Sequence, residues 1–318
     1  MTKQRVRIAR KTIEAQDICS FELVADDGGA LPPFGAGAHI DVHLDGGLVR
    51  QYSLCNDPRE RHRYLIAVLR EPASRGGSAA MHALREGQEI EISEPRNHFA
   101  LARDARSHLL LAGGIGITPI LAMAEQLMAE GAAFEMHCCT RSADRTAFAQ
   151  RMRASAFAPL VRFHHDDGPV AQKLDIAALV AAPEPGMHLY VCGPAGFMEA
   201  VLSAARSAGW VELALHREYF AGTATTSDGD GAFDVQLASS GALIRVAADQ
   251  SVVAALAAAG VQVPVSCEQG VCGTCVTRVL DGTPEHRDLF LTDDERARGD
   301  CFTPCCSRAL SPRLVLDL

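Results

Sequence analysis

The chain has 318 residues, enough for two or three domains. Hydrophobic residues make up 48% and charged residues 22%, a soluble globular balance, and a formal net charge of -9 argues against nucleic acid as the main partner. No apolar run reaches about 18 residues, so no membrane is expected, and the start, MTKQRVRIARKTIEAQD, lacks the apolar stretch of a signal peptide, so a cytoplasmic protein is expected.

Alternating apolar residues over the first ~100 positions predict strands at Val6–Arg10, Ile18–Val24, His39–Leu44, Val49–Leu54, Tyr64–Arg70 and Glu89–Ser93. A helix near Ser78–Arg85, ended by Gly87, interrupts them. Many short strands with Gly and Pro turns suggest a small antiparallel β-barrel.

The middle of the chain alternates strand and helix. Strands are expected at His108–Ala112, Phe134–Cys139, Val161–His164, His188–Cys192 and Glu212–His216, with helices at Pro119–Glu130, Ile176–Ala181 and Gly196–Ala208. Such alternation means an α/β unit with a parallel sheet. Residues 222–231, GTATTSDGDG, carry no apolar periodicity and read as a linker. Beyond it, a hairpin (Phe233–Ala238 with Leu243–Val246), a helix Val252–Ala259 capped by Ser251 and Gly260, and a closing strand Leu314–Leu318 outline one small domain. The division is thus 1–103, 104–221, linker 222–231, and 232–318.

Eleven cysteines are many for a cytoplasmic chain, where disulfides are rare. Cys267, Cys272 and Cys275 are spaced C-x4-C-x2-C, and Cys305 follows after 29 intervening residues. This is plant-type [2Fe–2S] spacing, in which soft thiolates hold two irons within one loop. Gly270 and Gly273 let backbone N–H groups approach the sulfurs. A structural zinc site would want paired C-x2-C knuckles, and a Rieske centre two histidines; neither pattern is present. Cys306 adjoins Cys305, and the spacing fits Cys305 better.

Arg50-Gln51-Tyr52-Ser53-Leu54 lies on a predicted barrel strand and suits a flavin. Tyr stacks on the ring, the Ser hydroxyl faces N5 and Arg meets phosphate, although such residues are more often surface and core. Gly76-Gly77-Ser78 opens the predicted helix, where free N–H groups bind phosphate; an ordinary turn is the bland reading. Gly113, Gly114 and Gly116 follow a strand and open a helix, the place for a dinucleotide pyrophosphate, but the pattern is not GxGxxG. Cys192-Gly193-Pro194 ends another strand of the same sheet, and Cys192 is a candidate neighbour of the nicotinamide or a plain buried thiol. Asp166 and Asp167 end a further strand. Carboxylates there hold ribose hydroxyls and repel a 2′-phosphate, favouring NADH, unless they only form a solvated turn.

In this order, R-Q-Y-S-L, G-G-S, A-G-G-I-G-I-T-P, V-C-G-P and C-x4-C-x2-C…C form a set over the whole length. The chain resembles the phthalate dioxygenase reductase family, which includes vanillate O-demethylase reductases. The likeness is densest in C-E-Q-G-V-C-G-T-C and in P-C-C-S-R with the ending R-L-V-L-D-L. The resemblance implies an FMN-binding antiparallel β-barrel, an NADH-binding α/β domain and a β-grasp-like ferredoxin domain of α+β type.

By position it places Arg50, Tyr52 and Ser53 on FMN, beside Gln51 of the same strand motif, with Gly76, Gly77 and Ser78 around its phosphate and Thr118 near flavin and nicotinamide. It places Gly114, Cys192, Gly193 and Pro194 on NADH, with Arg141 toward the adenosine half, and Gly113, Gly116 and Asp167 join the NADH site from their place at the strand ends. Ser53, Thr118 and Cys192 then surround the hydride transfer, and Glu218 and Phe220 close over the flavin. The flavin converts a two-electron donor to a one-electron cluster. The implied acceptor is a Rieske-type oxygenase acting on an aromatic or similar small acid. A haem monooxygenase acceptor, or a redox-sensing regulator, are the alternatives.

Overall fold

The computed structural model describes residues 3–72, 76–220, 227 and 229–318. They form two compact units, one ending at Glu218 and the other beginning at Tyr219.

The first unit opens with an antiparallel sheet of β1 (Lys3–Ala15), β2 (Ile18–Ala25), β3 (Ala38–His43), β4 (Val49–Ser53), β5 (Tyr64–Leu69), β6 (Glu89–Ser93) and the two-residue β7 (Arg96–Asn97). The order is β4-β3-β6-β1-β2-β5, with β7 beside β3, and a bridge between Leu54 and Ile66 joins the two ends into a barrel. Alternate residues such as Val6, Ile8, Phe21, Leu23, Ile40 and Val42 fill its interior, as strand periodicity requires. β1 runs longer than its apolar pattern suggests. Register shifts at Ile8/Arg10 and Ile13/Ala15 break the period of two without ending the strand. A short helix, α1 (Gly77–Ala83), lies between β5 and β6.

A parallel sheet follows: β8 (Ser107–Gly113), β9 (Ala133–Thr140), β10 (Val161–His165), β11 (Met187–Cys192) and β12 (Leu215–Glu218), in the order β10-β9-β8-β11-β12. Its helices are α2 (Ile117–Glu130), α3 (Ala149–Ala154), α4 (Ile176–Val180) and α5 (Ala195–Ser207). The strand expected at Glu212–His216 sits further along. Glu212–Ala214 is a 3-10 turn, and pairing of Leu189 with Leu215 and of Cys192 with Glu218 sets the strand at Leu215–Glu218, with Leu215 buried. Barrel and parallel sheet share packing: Phe99 meets Tyr190 at 5.9 Å between ring centroids, and the Arg151 guanidinium donates to the Cys55 carbonyl at 3.0 Å.

The second unit contains β13 (Phe233–Leu237), β14 (Leu243–Val246), α6 (Val252–Ala258), β15 (Thr277–Asp281), β16 (Pro284–Glu285), α7 (Asp293–Arg298), β17 (Cys301–Phe302), β18 (Arg308–Ala309) and β19 (Arg313–Leu316). Its main sheet is ordered β14-β13-β19-β15-β17, with β13 parallel to β19 and the hairpin β13–β14 as expected. Ser251 Oγ caps α6 by accepting from the Ala254 N–H at 3.2 Å. α7 was not expected. Thr292 and Glu295 form a reciprocal capping box at its start.

Of the segment expected as a linker, residues 222–226 and 228 lie outside the described residues. Its end is anchored. Asp230 pairs with Arg287 and accepts from Ser227, and the buried Arg308 side chain donates to the carbonyls of Gly231, Ala247 and Gln250. Among the described residues, no helix is long and apolar enough to cross a membrane.

Candidate functional site

β4 carries the first group of candidates. Alternation along this strand sends Arg50 and Tyr52 to one face and Gln51 and Ser53 to the other. The Arg50 side chain runs directly beneath the start of α1: a Cβ built on Gly77 would fall 2.5 Å from Arg50 Nε. The sequence thus needs glycine at 77 to let the guanidinium reach the helix backbone. Gly76 adopts φ +84°, and Ser78 Oγ accepts from the Glu71 N–H at 3.1 Å. A cation beside glycine backbone is a fitting cradle for a flavin phosphate. Tyr52 is half-buried on the barrel core, and burial pushes its phenol up. The Gln51 amide donates to Asp41 at 3.1 Å and contacts His39 at 3.2 Å, so its side chain is engaged within the barrel.

Ser53 ends β4 and donates its hydroxyl to Glu218 Oε2 at 3.0 Å. Glu218 ends β12, opposite Cys192 at the end of β11. The side chain is half-buried, and desolvation pushes its pKa up to about 8, only partly opposed by the Ser53 bond. The Cys192 thiol is held well above its ordinary range, chiefly by burial, so it stays protonated. The adjacency of Ser53, Glu218 and Cys192 makes a proton-bearing corner where barrel and parallel sheet meet.

The two nucleotide loops interlock at the C-terminal edge of the parallel sheet, where such folds bind ligands. A Cβ on Gly116 would sit 2.2 Å from the Cys192 carbonyl oxygen, and one on Gly113 2.8 Å from the Phe197 ring. Gly193 adopts φ +159° and backs onto Gly113 Cα. Pro194 precedes α5. Gly114, at φ +54°, has open space around its missing Cβ. The glycines expose backbone along this edge, with the Phe197 ring and Pro194 against Gly113, a setting that suits a pyrophosphate. Thr118 is buried, and its hydroxyl donates to the Ile115 carbonyl at 3.1 Å, holding the loop in shape. Arg141 and Asp167 meet through the backbone: the Asp167 N–H donates to the Arg141 carbonyl at 3.1 Å. Both side chains are exposed beyond β9 and β10.

In the second unit, Cys267, Cys272, Cys275 and Cys305 are all buried. Among the described residues, no three His, Cys, Asp or Glu side chains converge as a single metal ion would need. The sulfurs fall into two pairs: Cys267 contacts Cys272, and Cys275 contacts Cys305. Two thiols per iron is the ligand count of a [2Fe–2S] cluster, and the arrangement fits it. Gln269 N–H donates to Cys267 Sγ at 3.3 Å and Thr274 N–H to Cys272 Sγ at 3.5 Å. Gly270 and Gly273, at φ +71° and +68°, permit this wrapping. A Cβ on Gly273 would strike the Phe290 ring at 2.2 Å, so Phe290 and the neighbouring Asp288 form the back wall of the loop. Sequence reading missed that wall, because only the fold brings it there. Phe220, also in this unit, is exposed.

Residues 235–310 match the 2Fe-2S iron-sulfur cluster binding domain, and residues 89–215 match the N-terminal domain of dimethylamine monooxygenase subunit DmmA-like proteins. The chain is 58% identical, over 98% of its length and 99% of the relative's, to a vanillate O-demethylase oxidoreductase of Pseudomonas sp. (strain HR199 / DSM 7063). The solved phthalate dioxygenase reductase, described as modular for electron transfer from pyridine nucleotides to [2Fe-2S], aligns at 42% identity and TM-score 0.79, covering 99% of this chain and 98% of that one. An intact type IV self-sufficient cytochrome P450 monooxygenase aligns at 41% identity and TM-score 0.85, covering 99% of this chain but 41% of that one.

Barrel, parallel sheet and cluster loop in one chain define an electron-transfer oxidoreductase with a flavin domain, a nucleotide domain and a [2Fe–2S] domain. The chain belongs to the phthalate dioxygenase reductase family.

Proposed function

We propose that this protein is the reductase component of a multicomponent oxygenase. It takes hydride from NADH onto FMN and passes electrons singly through its [2Fe–2S] cluster to a Rieske-type oxygenase in the cytoplasm. One observation carries the reading: the end-to-end match to phthalate dioxygenase reductase, whose description names electron transfer from pyridine nucleotides to [2Fe-2S]. The identity of 58% to a vanillate O-demethylase oxidoreductase favours a demethylating oxygenase that acts on an aromatic acid. The relatives favour neither a haem monooxygenase acceptor nor a redox-sensing regulator.

When bound, FMN supplies the two-to-one electron conversion. The chain's own residues supply position and protons. Arg50 and the Gly76-Gly77-Ser78 backbone hold the phosphate, and Tyr52 offers a ring edge of the site. Ser53 Oγ, braced by Glu218, presents a hydroxyl from the barrel side. Cys192, Gly193 and Pro194 with Gly113, Gly114 and Gly116 shape the nicotinamide side, and Thr118 keeps that loop rigid. Asp167 and Arg141 face the adenosine half. Cys267, Cys272, Cys275 and Cys305 would hold the cluster, which supplies the one-electron step. The three functional blocks, 1–103, 104–221 and 232–318, follow these groups.

Anaerobic titration with NADH, followed by visible absorbance and low-temperature EPR, tests the path. Flavin bleaching with a rhombic [2Fe–2S] signal, at about one FMN and two irons per chain, is expected. Zinc in place of iron, or no flavin, would overturn it.

A further inference from the structure

Cys306 follows the proposed fourth ligand directly, and its thiol is buried to 1% exposure among groups that fix its place. Its sulfur contacts that of Cys305 and lies in one apolar cluster with Cys275 and Cys305. Thr303 Oγ1 lies 3.3 Å away, and Ser307 Oγ 3.9 Å. Gly270, within the cluster loop, presses on it from the other side: a Cβ there would come within 2.3 Å of Cys306 Sγ. The thiol therefore has no room to turn away. Behind it, a buried chain of hydroxyls is closed at its far end. Ser307 Oγ contacts Thr303 Oγ1 at 2.9 Å, accepts from the Arg287 N–H at 3.1 Å and donates to Asp288 Oδ1 at 3.5 Å.

Cys305, which stands at the plant-type spacing, contacts Cys275. Once it binds iron, it is an anionic sulfur and a stronger acceptor than a neutral hydroxyl. The neighbouring S–H has then one best target. We infer that Cys306 is not a ligand but a positioning residue, whose S–H donates to the Cys305 sulfur and raises the cluster's reduction potential. The inference rests on the reading that Cys305 is the fourth ligand. Hydrogen bonds to ligand sulfurs favour the reduced, more negative cluster. With the Ser307 proton on Asp288, the Thr303 hydroxyl donates to Ser307 and is only a neutral acceptor beside the thiol, and the dry surroundings strengthen the S–H bond to the anionic Cys305 sulfur.

The test uses the full chain with its cofactors, as Cys306→Ala, Cys306→Ser and Cys305→Ala variants. Iron content, the EPR spectrum and a spectroelectrochemical titration are read for each. Cys306→Ala should keep two irons per chain and shift the oxidised-to-reduced ratio about threefold to tenfold, ~30 to 59 mV toward negative potential for one electron. Cys306→Ser, whose O–H donates more strongly, should return the midpoint to the wild-type value or above it. An unchanged midpoint in Cys306→Ala with iron retained would make Cys306 mere packing and overturn the inference. Loss of iron in Cys306→Ala together with its retention in Cys305→Ala would instead overturn the ligand assignment beneath it.

Discussion

Ser53 and Glu218 stand 165 positions apart in the chain, yet the serine hydroxyl donates to the glutamate carboxyl at 3.0 Å. One closes a barrel strand and the other the last strand of the parallel sheet, so this bond joins the two layers between which the proposed hydride transfer occurs.

That contact gives a pH signature. Glu218 in the folded protein holds its proton to about 8, whereas the unfolded chain releases it near 4.5. The folded state therefore binds more protons over this window. Its contribution to stability is full below about pH 4.5 and is lost as pH rises through about 8, at up to ~1.4 kcal/mol per pH unit. Glu218→Gln, which keeps the neutral shape, should flatten this slope. Melting temperatures from pH 5 to 8 for both proteins check it; parallel curves would mean that Glu218 is ionised when folded.

Iron ligation should be separable from flavin chemistry. Cys272→Ser is expected to abolish cytochrome c reduction and the iron EPR signal. Reduction of FMN by NADH should continue at close to the wild-type rate in stopped flow. Loss of flavin reduction as well would contradict modular transfer.

Two glycines of the nucleotide edge predict opposite effects. Gly116→Ala forces a methyl against the Cys192 carbonyl, 2.2 Å away, so a loss of about 1–3 kcal/mol is expected. Gly196 lies within α5 with nothing inside 4 Å, and Gly196→Ala should stabilise by roughly 0.4–1 kcal/mol. Urea unfolding of the two variants measures both. A Gly116→Ala protein as stable as wild type would mean that the two loops separate freely.

Asp167 should decide between the nicotinamides. The wild-type kcat/KM is expected to be higher for NADH than for NADPH, and Asp167→Ala should narrow the ratio by about tenfold, the worth of ~1.4 kcal/mol. An NADPH preference in the wild type would remove Asp167 from the ribose.

Local chemistry made much of this legible. The thiol spacing 267–272–275, the cap Ser251 and the hairpin at Phe233–Val246 are written in neighbouring residues, and each appears where the sequence puts it. The helix Asp293–Arg298 was equally local, since Thr292 and Glu295 spell its capping box, but its apolar stripe is too short for periodicity to reveal. Glu212–His216 misled because Val211 and Leu213 are apolar yet exposed, and a parallel partner strand moves the register onward. The Glu218 bond and the Asp288–Phe290 wall needed the fold itself. No spacing rule links residues that meet only through sheet order.

The Asp230 anchor bears on where this protein divides. Arg308 buries a full positive charge with 2% of its side chain exposed, and the matching carboxylate, 3.5 Å away, comes from upstream of the first ferredoxin strand. A ferredoxin fragment begun at residue 232 would strand that cation without its counter-charge, at a cost of about 3–5 kcal/mol. A gene-level cut, whether for a free-standing electron carrier or for grafting this module onto another oxygenase, has to fall ahead of Ser227. Recombination between relatives meets the same boundary, because the acid and its two arginines are inherited usefully only together.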